Sequence, residues 1–178
     1  MTFGKGYVFS LVILTYSLGF FKERTKTLSF SSQLFGGYEA DGAVKLNCDA
    51  STMEPDDVIG FCCVIRDSRG VWQWGCADII PPSSVFQGEL FVIWRGFRFT
   101  WETGFKEVLC ETDCHEAFSL LKDTLIVVCS EASDLILRIR ELLHCSWRAE
   151  IALIQRTANC IADALAKHTL KQRIHHAD

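Results

Sequence analysis

Between Ser84 and Gly104, apolar residues recur at three- and four-residue steps: Phe86, Leu90, Ile93, Trp94, Phe97 and Trp101. That is the period of a helix with one buried face. Ser84 and Gln87 stand three apart at its start, the spacing of a capping box. Gly104 follows its end, where a left-handed backbone is favoured. Glu89 breaks the pattern, because it lies on the apolar stripe, three after Phe86 and four before Ile93. An ionised carboxylate in that place is costly, on the order of several kcal/mol, unless it is paired or binds a metal.

Upstream of this helix, Val44, Leu46 and Cys48 alternate with Lys45, Asn47 and Asp49, which predicts a first strand ending on a carboxylate. Ile59–Arg66 is a second strand, rich in Val, Ile, Phe and Cys. The turn Asp67-Ser-Arg-Gly70 returns the chain as a third strand over Val71–Ile80, making a hairpin that Pro81-Pro82 stops. Downstream, Lys106–Thr112 predicts a fourth strand that runs out at Asp113, and Cys114–Lys122 a short helix. The apolar stretch Asp123–Cys129 fits no element clearly. Ser133–His144 is amphipathic, with Leu135, Ile136, Ile139, Leu142 and Leu143 on one side, and Arg148–Gln155 reads as a fifth strand. Asn159 is expected to cap a last helix running to about Leu170, with Ala162, Leu165 and Ala166 facing inward. A three-strand meander followed by strands with crossover helices implies a mixed sheet covered on both faces, an α/β class.

At 178 residues the chain is sized for one domain plus a tail. A net charge of −4 argues against a strongly basic nucleic-acid binder, but not against a nuclease that meets phosphate through divalent cations. There are nine cysteines, with an adjacent pair at Cys62–Cys63 and no CxxC. Those in strand-like runs, such as Cys48, Cys62 and Cys110, read as small buried residues of a reducing compartment rather than a disulfide framework. Cys110-x3-Cys114-His115 has no second half-site, so zinc is not expected there.

Residues 1–40 differ in kind. Tyr7–Phe21 is nearly apolar, with Lys5 before it and Lys22, Arg24 and Lys26 after it. It is short for a membrane span and close to the length of a signal-peptide core, without a clear small-x-small cleavage site. The expected organisation is a hydrophobic leader and linker over 1–40, signal- or anchor-like or left over, then a domain over 41–172 and a tail over 173–178. Cytoplasm or nucleus is the expected compartment, with export or anchoring through residues 7–21 as the alternative.

Four carboxylates carry the candidate chemistry. If the first and fourth strands lie side by side and parallel, Asp49 and Asp113 emerge at the same carboxyl edge, where open α/β sheets build their sites. Glu89 faces the sheet from the central helix, and Asp163 sits in the first turn of the last one. Singly, each has an ordinary structural role: strand-end turn, stripe-edge residue, helix cap, or an acid favoured by the helix dipole. Together, with no Lys or Arg evidently paired to each, four acids repel one another. Two Mg²⁺ ions remove that difficulty, since hard cations take oxygen ligands, and such a pair clamps the attacking and leaving oxygens of a phosphodiester.

The segments KLNCDAS, GFCCVIRDSRG, QGELFVIWRGFRFTWETGF, VLCETDC and IQRTANCIADALAKHTL, taken in order, resemble type 1 ribonuclease H, in the reverse-transcriptase-like version of plant genomes and retroelements. The resemblance covers about residues 43–170. It implies a ribonuclease H-like fold, with a five-stranded mixed sheet flanked by helices on both faces. It also implies hydrolysis of the RNA strand of RNA–DNA hybrids, and Asp49, Glu89, Asp113 and Asp163 as catalytic ligands of two Mg²⁺ ions, with Mn²⁺ as substitute. Arg156 and Asn159 are the candidate substrate-binding residues, and the expected state is a monomer. The chain departs from the pattern in four places. Asp49 is followed by Ala50 rather than Gly, and the loop before the last helix offers Gln155 and Arg156 in place of a His. Asp123–Glu131 carries no basic residue where bacterial enzymes have a Lys-rich handle, and Val85 and Phe86 replace polar groups that touch the RNA 2′-OH. A metal-dependent endonuclease is therefore the leading expectation. A retroelement-derived module that binds nucleic acid without cutting, or is purely structural, is the alternative.

Overall fold

The computed structural model describes residues 42–53, 58–81, 84–123 and 132–174. The expected leader and the apolar stretch 124–131 lie outside the described residues. Five strands are formed: β1 (Ala43–Met53), β2 (Val58–Asp67), β3 (Trp72–Ile80), β4 (Glu107–Thr112) and β5 (Arg148–Leu153). They make one sheet in the order β3-β2-β1-β4-β5. The β1–β2 and β2–β3 pairs are antiparallel, while β1–β4 and β4–β5 are parallel. This is the mixed sheet the pattern predicts, because hairpins join antiparallel neighbours and crossover helices join parallel ones.

The helices are α1 (Val85–Glu102), α2 (His115–Lys122), α3 (Ser133–Leu143) and α4 (Cys160–Ile174). The capping box of α1 is present: Ser84 Oγ accepts from the Gln87 N–H and Gln87 Oε1 accepts from the Ser84 N–H, each at 3.1 Å. Gly104 has φ +86°, the left-handed value expected after the helix. The buried stripe of α1 is narrower than its aromatic residues suggest. Leu90, Val92, Ile93 and Phe97 are buried with Gly88, Gly96 and Thr100, whereas Phe86, Trp94 and Trp101 sit half-buried along its flank. Aromatic rings are large enough to cover the edge of a core without entering it.

The two faces of the sheet are covered differently. On one, α1, α2 and α3 enclose Val44, Leu46, Cys48, Ile59, Ile65 and Ile151 in a large apolar cluster. On the other, α4 alone crosses β1, β2 and β3, and its cluster is small: Cys62, Val64, Leu165 and Ala166. Gly60 permits this approach, since a Cβ there would stand 2.6 Å from the Ala166 carbonyl oxygen. Under α4 also lie Lys45, Asn47 and Asp49, the polar alternation of β1, all buried. The described cysteines are free thiols, and Cys48, Cys62, Cys63 and Cys110 are fully buried, as expected of small apolar side chains. Among the described residues no helix is long and apolar enough to cross a membrane.

Candidate active site

The parallel pairing of β1 with β4 runs to Asn47 opposite Glu111. Two residues further along each chain come Asp49 and Asp113, so the register carries both acids to the same edge. Asp49 is not the end of its strand, as the alternation had suggested. β1 continues to Met53 as the partner of β2, with Asp49 opposite Cys62. What stops near Asp49 is β4, which leaves the sheet after Thr112 and frees Asp113 at the edge. Glu89 comes from the first turns of α1, and its Oε1 accepts from the backbone N–H of Ala50 at 3.2 Å, beside Asp49. Asp163, in the first turn of α4, completes the group.

Both Asp49 and Glu89 are buried, at 3% and 7% exposure, and Asp49 Oδ2 and Glu89 Oε2 have no hydrogen-bond partner. Burial first, and then repulsion from Asp113 and Asp163, pushes the Asp49 carboxyl up to about 7. Burial and the neighbouring Asp49 push Glu89 up to about 8, against the opposing hydrogen bond from Ala50. These are the expected consequences of holding several carboxylates together out of water.

Two cations partly offset the repulsion, which corrects the expectation that no Lys or Arg is paired to the acids. Lys167 Nζ lies 2.7 Å from both oxygens of Asp163, one helical turn away. Arg156 stands 3.9 Å from Asp113 and 3.7 Å from Asp163, with its side chain 76% exposed. The four-residue step from Asp163 to Lys167 was readable in the sequence as a helical ion pair. The approach of Arg156 depends on the short 3₁₀ turn Arg156–Ala158, which no local pattern announces.

Asn159 does not cap α4 with its side chain. Its backbone carbonyl accepts from the Asp163 N–H, while its side-chain amide, 1% exposed, donates to Asp113 Oδ1 and the Cys48 carbonyl at 2.8 Å each and to Asp49 Oδ1 at 3.5 Å. It is buried against Asp49 and Asp113. The reason is depth: the loop brings Asn159 under β1, and a buried amide must bond the nearest acceptors, here carboxylates and a strand carbonyl. A further set of polar groups, buried Lys45, Asn47 and Glu111 with half-buried Arg66, adjoins it and was not singled out from sequence. The available signal was two polar residues inside strands, Asn47 and Glu111, each two positions before a site acid.

Among the described residues no three His, Cys, Asp or Glu side chains are grouped closely enough to hold an ion as they stand. The donor chemistry nevertheless suits one. Buried carboxylate oxygens lacking hydrogen bonds are hard donors, and Mg²⁺ characteristically binds through one or two carboxylates while keeping several waters.

The comparisons with known proteins agree with this fold. Residues 47–169 match the model of the family described as reverse transcriptase-like. The chain is 31% identical over 127 residues to an Arabidopsis thaliana protein named "Putative ribonuclease H protein", covering 71% of this chain but 20% of that relative's length. The chain thus spans about a fifth of the curated relative it matches. Among solved structures it is similar to RNase H1 from Halobacterium salinarum, with TM-score 0.68 and 21% identity over 74% of this chain and 99% of the other. It is also similar to LC11-RNase H1, solved in complex with an RNA/DNA hybrid, with TM-score 0.66 and 15% identity over 74% and 99% of the two chains. With the sheet order, the paired helix layers and these matches in agreement, the chain belongs to the reverse transcriptase-like family and has a ribonuclease H-like fold.

Proposed function

We propose that this domain hydrolyses the RNA strand of RNA–DNA hybrids, with Asp49, Glu89, Asp113 and Asp163 holding two Mg²⁺ ions, for which Mn²⁺ can substitute. The observation that carries the reading is the convergence of four acids from four separate elements, two of which, Asp49 and Glu89, have a buried oxygen with neither a hydrogen-bond nor an ion-pair partner. Bound, such ions supply Lewis acidity toward the attacking water and the leaving 3′ oxygen. The residues themselves do the rest. Asp49 and Glu89 hold protons up to about 7 and about 8 in the metal-free protein, so ion binding displaces protons from them. Arg156 is exposed beside Asp113 and Asp163, and is set to meet a backbone phosphate of the strand entering the site. Selection of RNA rests on 2′-hydroxyls presented across the minor groove of the hybrid. The complex of LC11-RNase H1 with an RNA/DNA hybrid supports this choice of substrate.

A second reading, a nucleic-acid-binding module that does not cut, is favoured by one observation: Lys167 already neutralises Asp163 at 2.7 Å. A labelled RNA–DNA hybrid incubated with the full chain separates the two. Mg²⁺-dependent cleavage of the RNA strand alone supports the nuclease. Binding of the hybrid without cleavage in Mg²⁺ or Mn²⁺ supports the non-cutting module.

A further inference from the structure

The acids are backed by a chain of buried polar side chains whose hydrogen-bond directions are forced. It starts from two charged groups of opposite sign. Glu111 on β4 accepts from Lys45 Nζ at 2.6 Å, and Arg66 on β2 lies 3.8 Å from its other oxygen. Between them is Asn47 on β1: its Oδ1 accepts from the Arg66 guanidinium, and its Nδ2 donates to Glu111 Oε2 at 3.0 Å and to Asn159 Oδ1 at 3.4 Å. Lys45, Asn47, Glu111 and Asn159 are all at most 5% exposed.

A guanidinium only donates and an ionised carboxylate only accepts. Asn47 therefore has one satisfactory orientation, oxygen toward Arg66 and nitrogen toward Glu111. That orientation aims the Asn47 nitrogen at Asn159, so Asn159 must offer its oxygen there. The Asn159 nitrogen is then left pointing the other way, onto Asp113 Oδ1, Asp49 Oδ1 and the Cys48 carbonyl. Reversing either amide would set donor against donor or acceptor against acceptor in a buried place, a cost of about 1–3 kcal/mol for each unsatisfied group.

We propose that this relay is the positioning device of the site: Arg66 and Glu111, acting through Asn47, fix Asn159 in the one orientation that holds Asp113 and Asp49 for metal binding. Asn159 and Asn47 are positioning residues, which act through the acids. The inference rests on the metal-carboxylate reading above and adds to it residues that are not ligands. Groups that orient metal ligands from behind typically change affinity or turnover by about 10–100-fold when removed.

The test compares the full chain with Asn47→Leu, which keeps the bulk and removes the relay while leaving Asp49, Glu89, Asp113 and Asp163 unchanged. Ile139→Val, on the opposite face of the sheet, serves as a destabilised control. Mn²⁺ binding is measured by calorimetry below the melting temperature of each protein, and hybrid cleavage by initial rates. The expected result is Mn²⁺ affinity weakened about ten-fold or more in Asn47→Leu. Its kcat should fall in parallel and recover with excess metal, its KM for hybrid should stay within about two-fold of wild type, and Ile139→Val should bind Mn²⁺ like wild type. Equal Mn²⁺ affinity in wild type and Asn47→Leu overturns the positioning role while leaving the metal reading intact. Absence of Mn²⁺ binding by the wild type overturns both. Should Asn47→Leu fail to fold, Asn159→Ser, which keeps a small polar group but cannot span Asn47 and Asp113 together, carries the same comparison with the same outcomes.

Discussion

The two faces of the sheet are built on opposite principles from the same strands. Toward α1, β1 presents Val44, Leu46, Cys48 and Ala50 to an apolar cluster reaching α3. Toward α4 it presents Lys45, Asn47 and Asp49, which are as deeply buried but must be satisfied by specific partners. An apolar face tolerates changes that keep volume, because its contacts are non-directional. A buried polar face tolerates almost none, because each donor needs its acceptor. The comparison teaches that burial serves stability on one side and fixed orientation on the other, and the acids gather where the polar side reaches the sheet edge.

The largest effects should be matched in size and differ in their remedy. Phe97→Ala on the apolar face should cost roughly 3–5 kcal/mol, read as a drop in the denaturation midpoint. Glu111→Leu on the polar face should cost a similar amount, roughly 3–5 kcal/mol, by taking the carboxylate from Lys45 and Arg66. Adding Lys45→Met to Glu111→Leu should recover most of that loss, since an apolar pair of similar volume replaces an ion pair well. No recovery in the double variant would mean that the face is held by packing, as the other one is.

A smaller effect of opposite sign belongs to the acids themselves. In the metal-free chain Asp49→Asn should raise stability by about 1–3 kcal/mol at pH 8, because it removes one charge from a repelling group. The pH dependence follows from the same cause. The folded-state values of about 7 for Asp49 and about 8 for Glu89 lie above the ordinary 3.8 and 4.5, so the native state binds more protons than the unfolded one. Their contribution to stability is therefore full at low pH and is lost as pH rises through about 7 to 8. Melting curves in a chelator should show the midpoint falling from about pH 4 to about pH 8 and levelling off above it, less steeply in Asp49→Asn. The same slope in both proteins would mean that Asp49 is not among the titrating acids.

The smallest effect should come from Lys167→Ala. Its ion pair with Asp163 is half-exposed and spans one helical turn, so its loss should change stability by about 0.3–0.5 kcal/mol or less. A loss several times larger would place Lys167 in the buried polar set rather than at its rim.

Much of this arrangement was legible in the sequence, for reasons that particular residues make plain. The period of Leu90, Ile93 and Phe97 gave α1 its buried face, Ser84 and Gln87 gave its start, and the odd carboxylate Glu89 on that stripe marked the site. Local rules suffice there because helix faces and caps are set within a few residues. The extension of β1 past Asp49 was not legible, because it depends on pairing with β2 at Met53–Val58. The side chain of Asn159 was assigned to the helix end because residues of its type commonly cap. Its true partners, Cys48, Asp49 and Asp113, are 46 to 111 positions away and only the folded sheet brings them near. For the same reason nothing local to either strand joins Lys45 to Glu111, which the crossover sets 2.6 Å apart.

The most direct measurement of the central claim is a single substitution read in two ways. Glu89→Gln keeps the acceptor for the Ala50 N–H and the volume of the side chain, but removes its buried charge. The account predicts that the metal-free variant melts at a higher temperature than wild type at pH 8, and that it no longer cleaves the RNA strand of a hybrid in Mg²⁺ while still binding it. Cleavage at the wild-type rate by Glu89→Gln would contradict the assignment of the acids as the metal-binding centre.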